Sequence, residues 1–80
     1  MKVPSIKKIV ESYTVAEMQS AEEMLLEEQI PTIEVEGDDE GEKLTHIMAS
    51  IFIKTKMEEE GMPFTQALRA FTQRVRNSIS

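Results

Sequence analysis

The side chains of this sequence that are best suited to chemistry are carboxylates crowded into one short stretch. Residues 34–42 contain six acidic residues, and His46 follows Glu42 at a spacing of four. Carboxylate oxygens are calcium ligands, and a histidine one helical turn from a glutamate supplies two ligands of a helix-borne metal site. Metal-dependent activity at the acidic loop 38–42 and His46 is therefore the first hypothesis to weigh.

The spacing of these residues does not match a known metal-binding pattern. A calcium loop of the EF-hand type needs ligands at alternate positions, whereas Asp38, Asp39 and Glu40 are consecutive. Glu42 and His46 alone are too few ligands. The chain has no cysteine and a single histidine, which excludes thiolate zinc sites and histidine-rich cages. We predict a solvated loop, with no metal and no cofactor.

Catalytic motifs are missing from the sequence. Adjacent glutamates, such as Glu22 with Glu23, would need an apolar pocket around one member to act as an acid–base pair, and in helices they are typical of a solvent-facing surface. The sequence contains no nucleophile elbow, no phosphate-binding glycine loop and no dinucleotide fingerprint. We do not expect an enzyme.

Charge is distributed unevenly along the chain. The net charge is −6, and residues 11–42 carry twelve acidic residues with no lysine or arginine. Residues 1–10 contribute three lysines and residues 61–80 three arginines, with no acid in that last block. This layout indicates either a solvated acidic face that the basic ends partly offset or an acidic docking surface for a basic partner.

Apolar periodicity predicts four helices, at residues 5–12, 14–29, 42–60 and 64–78. We expect Ser5 to cap the first helix, and Thr14 with Glu17 to form a capping box on the second. Gly61 is expected to close the third helix. Two glutamates, Glu27 and Glu28, fall in the last turn of the second helix, where the helix dipole disfavours anions unless a cation from another segment lies nearby.

Between the second and third helices, residues 32–36 alternate between apolar and polar side chains. That period of two predicts a short extended segment, which Pro31 confines to an edge. It is either an extended arm or a strand that pairs with its mate across a dimer.

The third helix gives the main argument for a dimer. Leu44, Met48, Ile51 and Thr55 form one stripe, while Phe52 and Ile53 point away from it. An 80-residue domain buries only about 60% of its unfolded surface, so we expect a second copy to cover this helix. The alternative is that the first helix and the arm at residues 33–35 provide some of this cover within one chain. The predicted dimer interface comprises six apolar residues: Ile33, Val35, Ile47, Ile51, Phe52 and Ile53.

The fourth helix carries a polar row separate from its apolar stripe. Arg69, Gln73 and Arg76 make up this row, which we predict to be a partner surface. An alternative is a nucleic-acid-linked regulator that uses the arginines of this helix, although an acidic chain is poorly suited to phosphates. The sequence has no signal-peptide core and no apolar run of about 20 residues, so we predict a cytoplasmic protein without a membrane contact.

Several stretches resemble a known family, and the closing one, residues 71–78, is the most specific. The others are residues 6–13, 21–23, 26–29 and 33–37. Together they resemble a family of short, acidic bacterial proteins that carries only a domain-of-unknown-function label. The resemblance implies a bacterial cytosolic protein and supplies no activity or catalytic residue.

The sequence thus predicts one all-α domain over residues 1–80, with four helices, a short extended segment at 32–36 and a dimeric state. The expected function is a non-enzymatic protein–protein interaction module that acts as a homodimer, with an unidentified protein as a further partner.

Overall fold

The computed structural model describes the backbone of residues 1–79 and the side chains of residues 1–78. Four helices follow one another along the chain: α1 (Val3–Ser12), α2 (Val15–Leu26), α3 (Glu40–Glu60) and α4 (Phe64–Ile79). Helix α3 lies in the middle and packs against each of the other three. The predicted all-α, four-helix fold is confirmed.

Helix α1 begins two residues earlier than predicted, at Val3, and Ser5 is not its cap. Pro4 occupies the first turn, where its missing N–H has no intrahelical partner to lose. Ser5 instead lies buried inside the helix. At the other end, Lys54 of α3 donates from Nζ to the carbonyls of Val10 (2.8 Å) and Tyr13 (3.0 Å), which stabilises the negative end of the helix dipole.

Helix α2 begins as predicted and ends earlier. The capping box of Thr14 and Glu17 is present in both directions. The helix stops at Leu26 rather than near Gln29, because Glu28 adopts a left-handed conformation with φ of 60°. The amide of Gln29 then donates to the Met24 carbonyl at 2.8 Å, which is the Schellman arrangement that ends many helices.

Helix α3 is bounded by its own local signals. Asp39 is the N-cap and its Oδ1 accepts from the Glu42 amide at 2.7 Å, so the helix starts at Glu40 and not at Glu42. Gly61 closes the helix in the left-handed region with φ of 65°, as the sequence predicted. Only glycine enters that region without steric cost.

Residues 32–36 are not a strand, and the described part of the chain contains none. Ile33 and Val35 are nevertheless buried while Glu34 and Glu36 are exposed, so the predicted alternation of faces is confirmed. The Glu34 amide has a side-chain acceptor in place of a neighbouring strand: it donates to Tyr13 Oη at 3.3 Å. The segment is an extended arm laid on the core of its own chain.

Gly37 ends this arm at a tight contact with α3. A Cβ at this position would lie 2.9 Å from the backbone nitrogen of Lys43, which is closer than real Cβ contacts. The lack of a side chain therefore lets the arm approach the first turn of α3.

The burial of α3 corrects the argument for a dimer. Ile47 and Ile53 are fully buried within one chain, whereas Met48, from the stripe that includes Leu44 and Ile51, is 51% exposed. The side of α3 that faces the core carries His46, Ala49, Ser50 and Ile53. Three helices and the arm thus cover this side of α3, and its burial does not require a second copy.

Candidate functional site

The apolar stripe of α4 is only partly covered by the rest of the chain. Phe64, Leu68 and Phe71 are only partly buried and Val75 is 42% exposed. Among the described side chains of this helix, Ala67 alone is fully buried. Helix α4 is as clearly amphipathic as α1, whose apolar side chains are mostly buried. Helix α4, however, packs mainly against α3 alone, so part of its apolar stripe faces solvent.

A groove of about 450 Å³ follows this uncovered stripe. Helix α4 forms one wall, and α3 and the first residue of the chain form the other. The lining residues are Met1, Thr45, Phe71, Thr72, Val75 and Arg76. Met1 is 52% exposed, so both walls present apolar side chains to solvent.

The groove offers few free hydrogen-bond donors. Thr45 Oγ1 already donates to the Gly41 carbonyl at 3.0 Å, and Thr72 Oγ1 to the Arg69 carbonyl at 2.9 Å. Both hydroxyl protons are therefore used within their own helices. What remains for a ligand is apolar surface with one cationic side chain, that of Arg76.

The arginines of α4 divide into two kinds. Arg74 lies over the Phe52 ring at 5.5 Å, and that ring contacts Phe71 with 5.6 Å between centroids, so Arg74 is part of the packing between α3 and α4. Arg69 and Arg76 are exposed. Within residues 1–79, the ion pairs are made by lysines, and these two arginines make none.

The three residues of the predicted partner surface are exposed, and their role in binding a partner stays a prediction. Arg69, Gln73 and Arg76 all face solvent on α4. Arg76 also lines the groove, and Arg69 precedes the groove residue Thr72 by one turn. The sequence had kept the polar row apart from the apolar stripe; in the structure Arg76 belongs to both.

The acidic loop, by contrast, is engaged by α1. Lys2 Nζ lies 3.3 Å from Asp38, and Lys8 Nζ lies 3.3 Å from Glu36. The hydrogen bond and charge of Asp38 raise the pKa of the Lys2 ammonium, and those of Glu36 raise the pKa of Lys8. Of the two basic ends expected to offset the acidic segment, the N-terminal one therefore does so.

Glu36 shows the same engagement from the acidic side. A hydrogen bond from the Ser5 hydroxyl, followed by the hydrogen bond and charge of Lys8, holds the pKa of the Glu36 carboxyl below its ordinary value. Because these groups are exposed, the ion pairs are individually weak and sensitive to salt.

His46 is fully buried and both ring nitrogens are occupied. The Lys2 amide donates to Nε2 at 2.9 Å, and Nδ1 lies 2.7 Å from the Glu36 carbonyl. A backbone amide only donates and a carbonyl only accepts, so the ring is neutral with its proton on Nδ1. His46 therefore joins the start of α1 to the arm at residues 32–36.

This arrangement leaves His46 no nitrogen for a metal ion. Glu42 accepts from the Asp38 amide at 2.9 Å, and the acidic loop is held by lysines. Within residues 1–79, no group of three or more metal-ligating side chains is placed to hold a cation. Metal-dependent chemistry at His46 and the loop 38–42 accordingly has no geometric support.

Four of the six residues of the predicted dimer interface are unavailable to a second copy. Ile47 and Ile53 are 0% exposed, and Ile33 and Val35 are buried in the arm. The remaining two, Ile51 and Phe52, are partly exposed. An interface built on all six residues would require these four side chains to leave their own core, and the set stays a prediction.

The end of α2 is a second exposed apolar feature, which the sequence reasoning missed. Leu26 is 64% exposed and Ile30 is 92% exposed, with Glu27 and Glu28 between them. A signal was present, because Leu26 falls outside the apolar stripe of α2 and Ile30 stands alone before Pro31. The groove residues Met1, Thr45 and Thr72 gave no such signal, since they meet only through tertiary packing.

None of the described helices is both long enough and apolar enough to cross a membrane. No curated protein and no solved structure matches the chain. The whole chain, residues 1–80, matches a family of unknown function, DUF6952. The chain belongs to this family, as its resemblance to a domain-of-unknown-function family had indicated.

Proposed function

We propose that this protein is a non-enzymatic, cytoplasmic interaction module that binds an acidic, apolar-anchored segment of a protein in the α4 groove. The observation that carries the proposal is the groove itself. An amphipathic helix leaves Val75 exposed in a lining that also contains Met1 and Arg76, with Arg69 about two turns before Arg76.

The apolar part of the groove supports an apolar anchor. Burying one leucine or isoleucine side chain contributes about 1.5–3 kcal/mol, and the hydroxyl protons that line the groove are already bonded within the chain. A polar ligand would gain little there. An apolar side chain would cover Phe71 and Val75 and lose nothing by leaving water.

The charge beside the groove supports an acidic partner. Residues 61–79 include three arginines and no acid. Arg69 and Arg76 have no carboxylate partner within the described residues, so they are free to meet one. Such rim charges raise association rates and select partners more than they add affinity.

An acidic amphipathic peptide tests this proposal. The probe is a labelled helical peptide with leucines at i, i+3, i+4 and i+7 and glutamates elsewhere; the control peptide replaces the glutamates with lysines. We expect the acidic peptide to shift the amide resonances of Thr45, Phe71, Thr72 and Val75 at low salt, with weaker binding as salt is added. The lysine peptide should bind at least tenfold more weakly.

Two variants sharpen the experiment. Val75→Asp places an anion in the groove and should abolish binding, whereas Gln19→Asp, at an exposed site of α2, should leave it intact. Circular dichroism checks that both remain helical. Equal binding by both variants would contradict the proposal, as would shifts at Arg69 and Gln73 with a DNA duplex but none with the acidic peptide.

A further inference from the structure

The partner chemistry that the groove requires is present on the surface of the chain itself. Residues 26–30, here named the α2 knob, combine the exposed Leu26 and Ile30 with Glu27 and Glu28. Ile30 is 92% exposed and gains almost nothing from its own fold. Together with Leu26 it gives this short segment two exposed apolar side chains that a partner surface could cover.

The backbone of the α2 knob holds Ile30 outward. Glu28 has φ of 60°, a conformation that non-glycine residues adopt at a cost. Hydrogen bonds from Glu28 to the Leu25 carbonyl (3.1 Å) and from Gln29 to the Met24 carbonyl (2.8 Å) fix the turn. Ile30 therefore follows a turn that is fixed by two backbone hydrogen bonds.

The two glutamates of the α2 knob have no ion-pair partner among the described residues. Glu27 and Glu28 follow the last turn of α2 and lie at its negative end, where a nearby cation would be favourable. Within residues 1–79, neither forms an ion pair, and neither do Arg69 and Arg76 of α4. The single chain thus leaves two surfaces of opposite charge, each with exposed apolar side chains.

We propose that the α2 knob of one copy docks into the α4 groove of a second copy, so that Ile30 or Leu26 fills the groove and the glutamates meet Arg76 and Arg69. This inference rests on the proposed function of the groove and names its occupant. Symmetric pairing of α4 with α4 is disfavoured, because it would bring two arginine-bearing rims together.

The contact joins two different surfaces. Two copies close into a dimer when both knob–groove contacts form at once; otherwise the contact extends from copy to copy. In either case, a chain with an altered α2 knob keeps its groove, and a chain with an altered groove keeps its α2 knob. The two variants can therefore still form one contact with each other.

Mixing such variants tests the inference. We expect the wild-type chain to self-associate with rising concentration in light scattering coupled to size-exclusion chromatography. Ile30→Asp removes the anchor and Val75→Asp spoils the groove, so each alone should associate at least tenfold more weakly. An equimolar mixture should recover complexes through the one intact contact, and Ile30→Leu should behave like the wild type.

The outcomes separate this inference from the proposed function. Self-association that Ile30→Asp leaves unchanged would overturn knob–groove docking, and so would a mixture that stays monomeric while the wild type associates. A wild-type chain that stays monomeric at millimolar concentration yet binds the acidic peptide overturns self-docking and leaves the groove's function standing. If the wild-type chain neither self-associates nor binds the acidic peptide, both the self-docking and the proposed function of the groove are overturned.

Discussion

Helices α1 and α4 look alike in sequence and differ in what the fold does with them. Both are amphipathic and both have cationic residues in or beside them. In α1 the apolar residues Ile6, Ile9 and Val10 are at most 3% exposed, while Lys2 pairs with the acidic loop and Lys8 with the arm. In α4 the apolar stripe is half covered, and Arg69 and Arg76 form no ion pair within the described residues.

The difference shows that the surface of α1 is used mainly for folding, whereas part of the surface of α4 is not. Helix α1 is mostly satisfied within the chain: Ile6, Ile9 and Val10 are buried, Lys2 and Lys8 form ion pairs, and Lys54 donates to two carbonyls at the end of the helix. Helix α4 is satisfied on the side of Ala67 and Arg74 only. Side chains that do not stabilise the fold are available for a partner.

Truncation of an apolar side chain should lower stability much more in α1 than in α4, and this is the largest expected effect. Ile6→Ala in α1 is expected to lower the free energy of unfolding by about 2–5 kcal/mol, because it opens a cavity in a fully buried site. Val75→Ala in α4 should change it by less than about 0.5 kcal/mol. Urea denaturation of both variants measures the contrast, and equal losses would refute it.

The link between α1 and the arm should be the next most sensitive feature. His46→Leu keeps an apolar volume but leaves the Lys2 amide and the Glu36 carbonyl without their partners, which is expected to cost about 1–3 kcal/mol. Met48→Leu, at an exposed site of the same helix, is the control and should be nearly neutral. A neutral His46→Leu would mean that water replaces the imidazole.

Relief of strain in the α2 knob should stabilise the chain. Glu28→Gly is expected to raise the free energy of unfolding by about 1 kcal/mol, since glycine adopts a positive φ freely, less the extra freedom it gives the unfolded chain. Glu27, with φ of −92°, is not strained, so Glu27→Gly should give no gain. Thermal unfolding compares the two variants, and equal shifts would rule out strain at Glu28.

The smallest effects should come from the lysine–carboxylate pairs of α1. The folded pKa of Glu36 lies below its ordinary value, so its stabilisation is present above about pH 4.5 and is lost as the pH falls through the folded pKa. The folded pKa values of Lys2 and Lys8 are raised, so their contributions are lost only as the pH rises beyond the ordinary lysine value.

Glu36→Gln tests this pH dependence. The variant should have a lower urea midpoint than the wild type near neutral pH, and the two curves should converge in acid as Glu36 becomes protonated. High salt should narrow the gap at neutral pH. A difference that stays constant at every pH would show that the Glu36 charge has no role.

Local signals in the sequence predicted the ends of helices well when a single residue dictated them. Thr14 with Glu17 and Gly61 both act as expected. The end of α2 was missed, because a glutamate at positive φ has no sequence signature comparable to that of glycine. The start of α1 was missed because Ser5, a typical cap, is used inside the helix beside Glu36.

The orientation of α3 was not predicted from the sequence, and this has a physical cause. A helix that is apolar over most of its circumference does not reveal which face its neighbours will cover. The structure buries Ile53 within one chain and exposes Met48, whereas the sequence placed Ile53 at an interface with a second copy. In α4 the apolar stripe was clear from the sequence. The fraction of that stripe that packs against α3 depends on tertiary packing, and so does the contribution of Met1 to the groove.

The most direct test of the account is the affinity of the acidic amphipathic peptide for the wild-type chain and for Val75→Asp, measured at low salt. If the uncovered face of α4 is a docking surface, the wild-type chain binds the peptide and the variant, still helical, binds it at least tenfold more weakly. Equal affinities, or no binding by the wild type, would contradict the claim that α4 is left open for a partner.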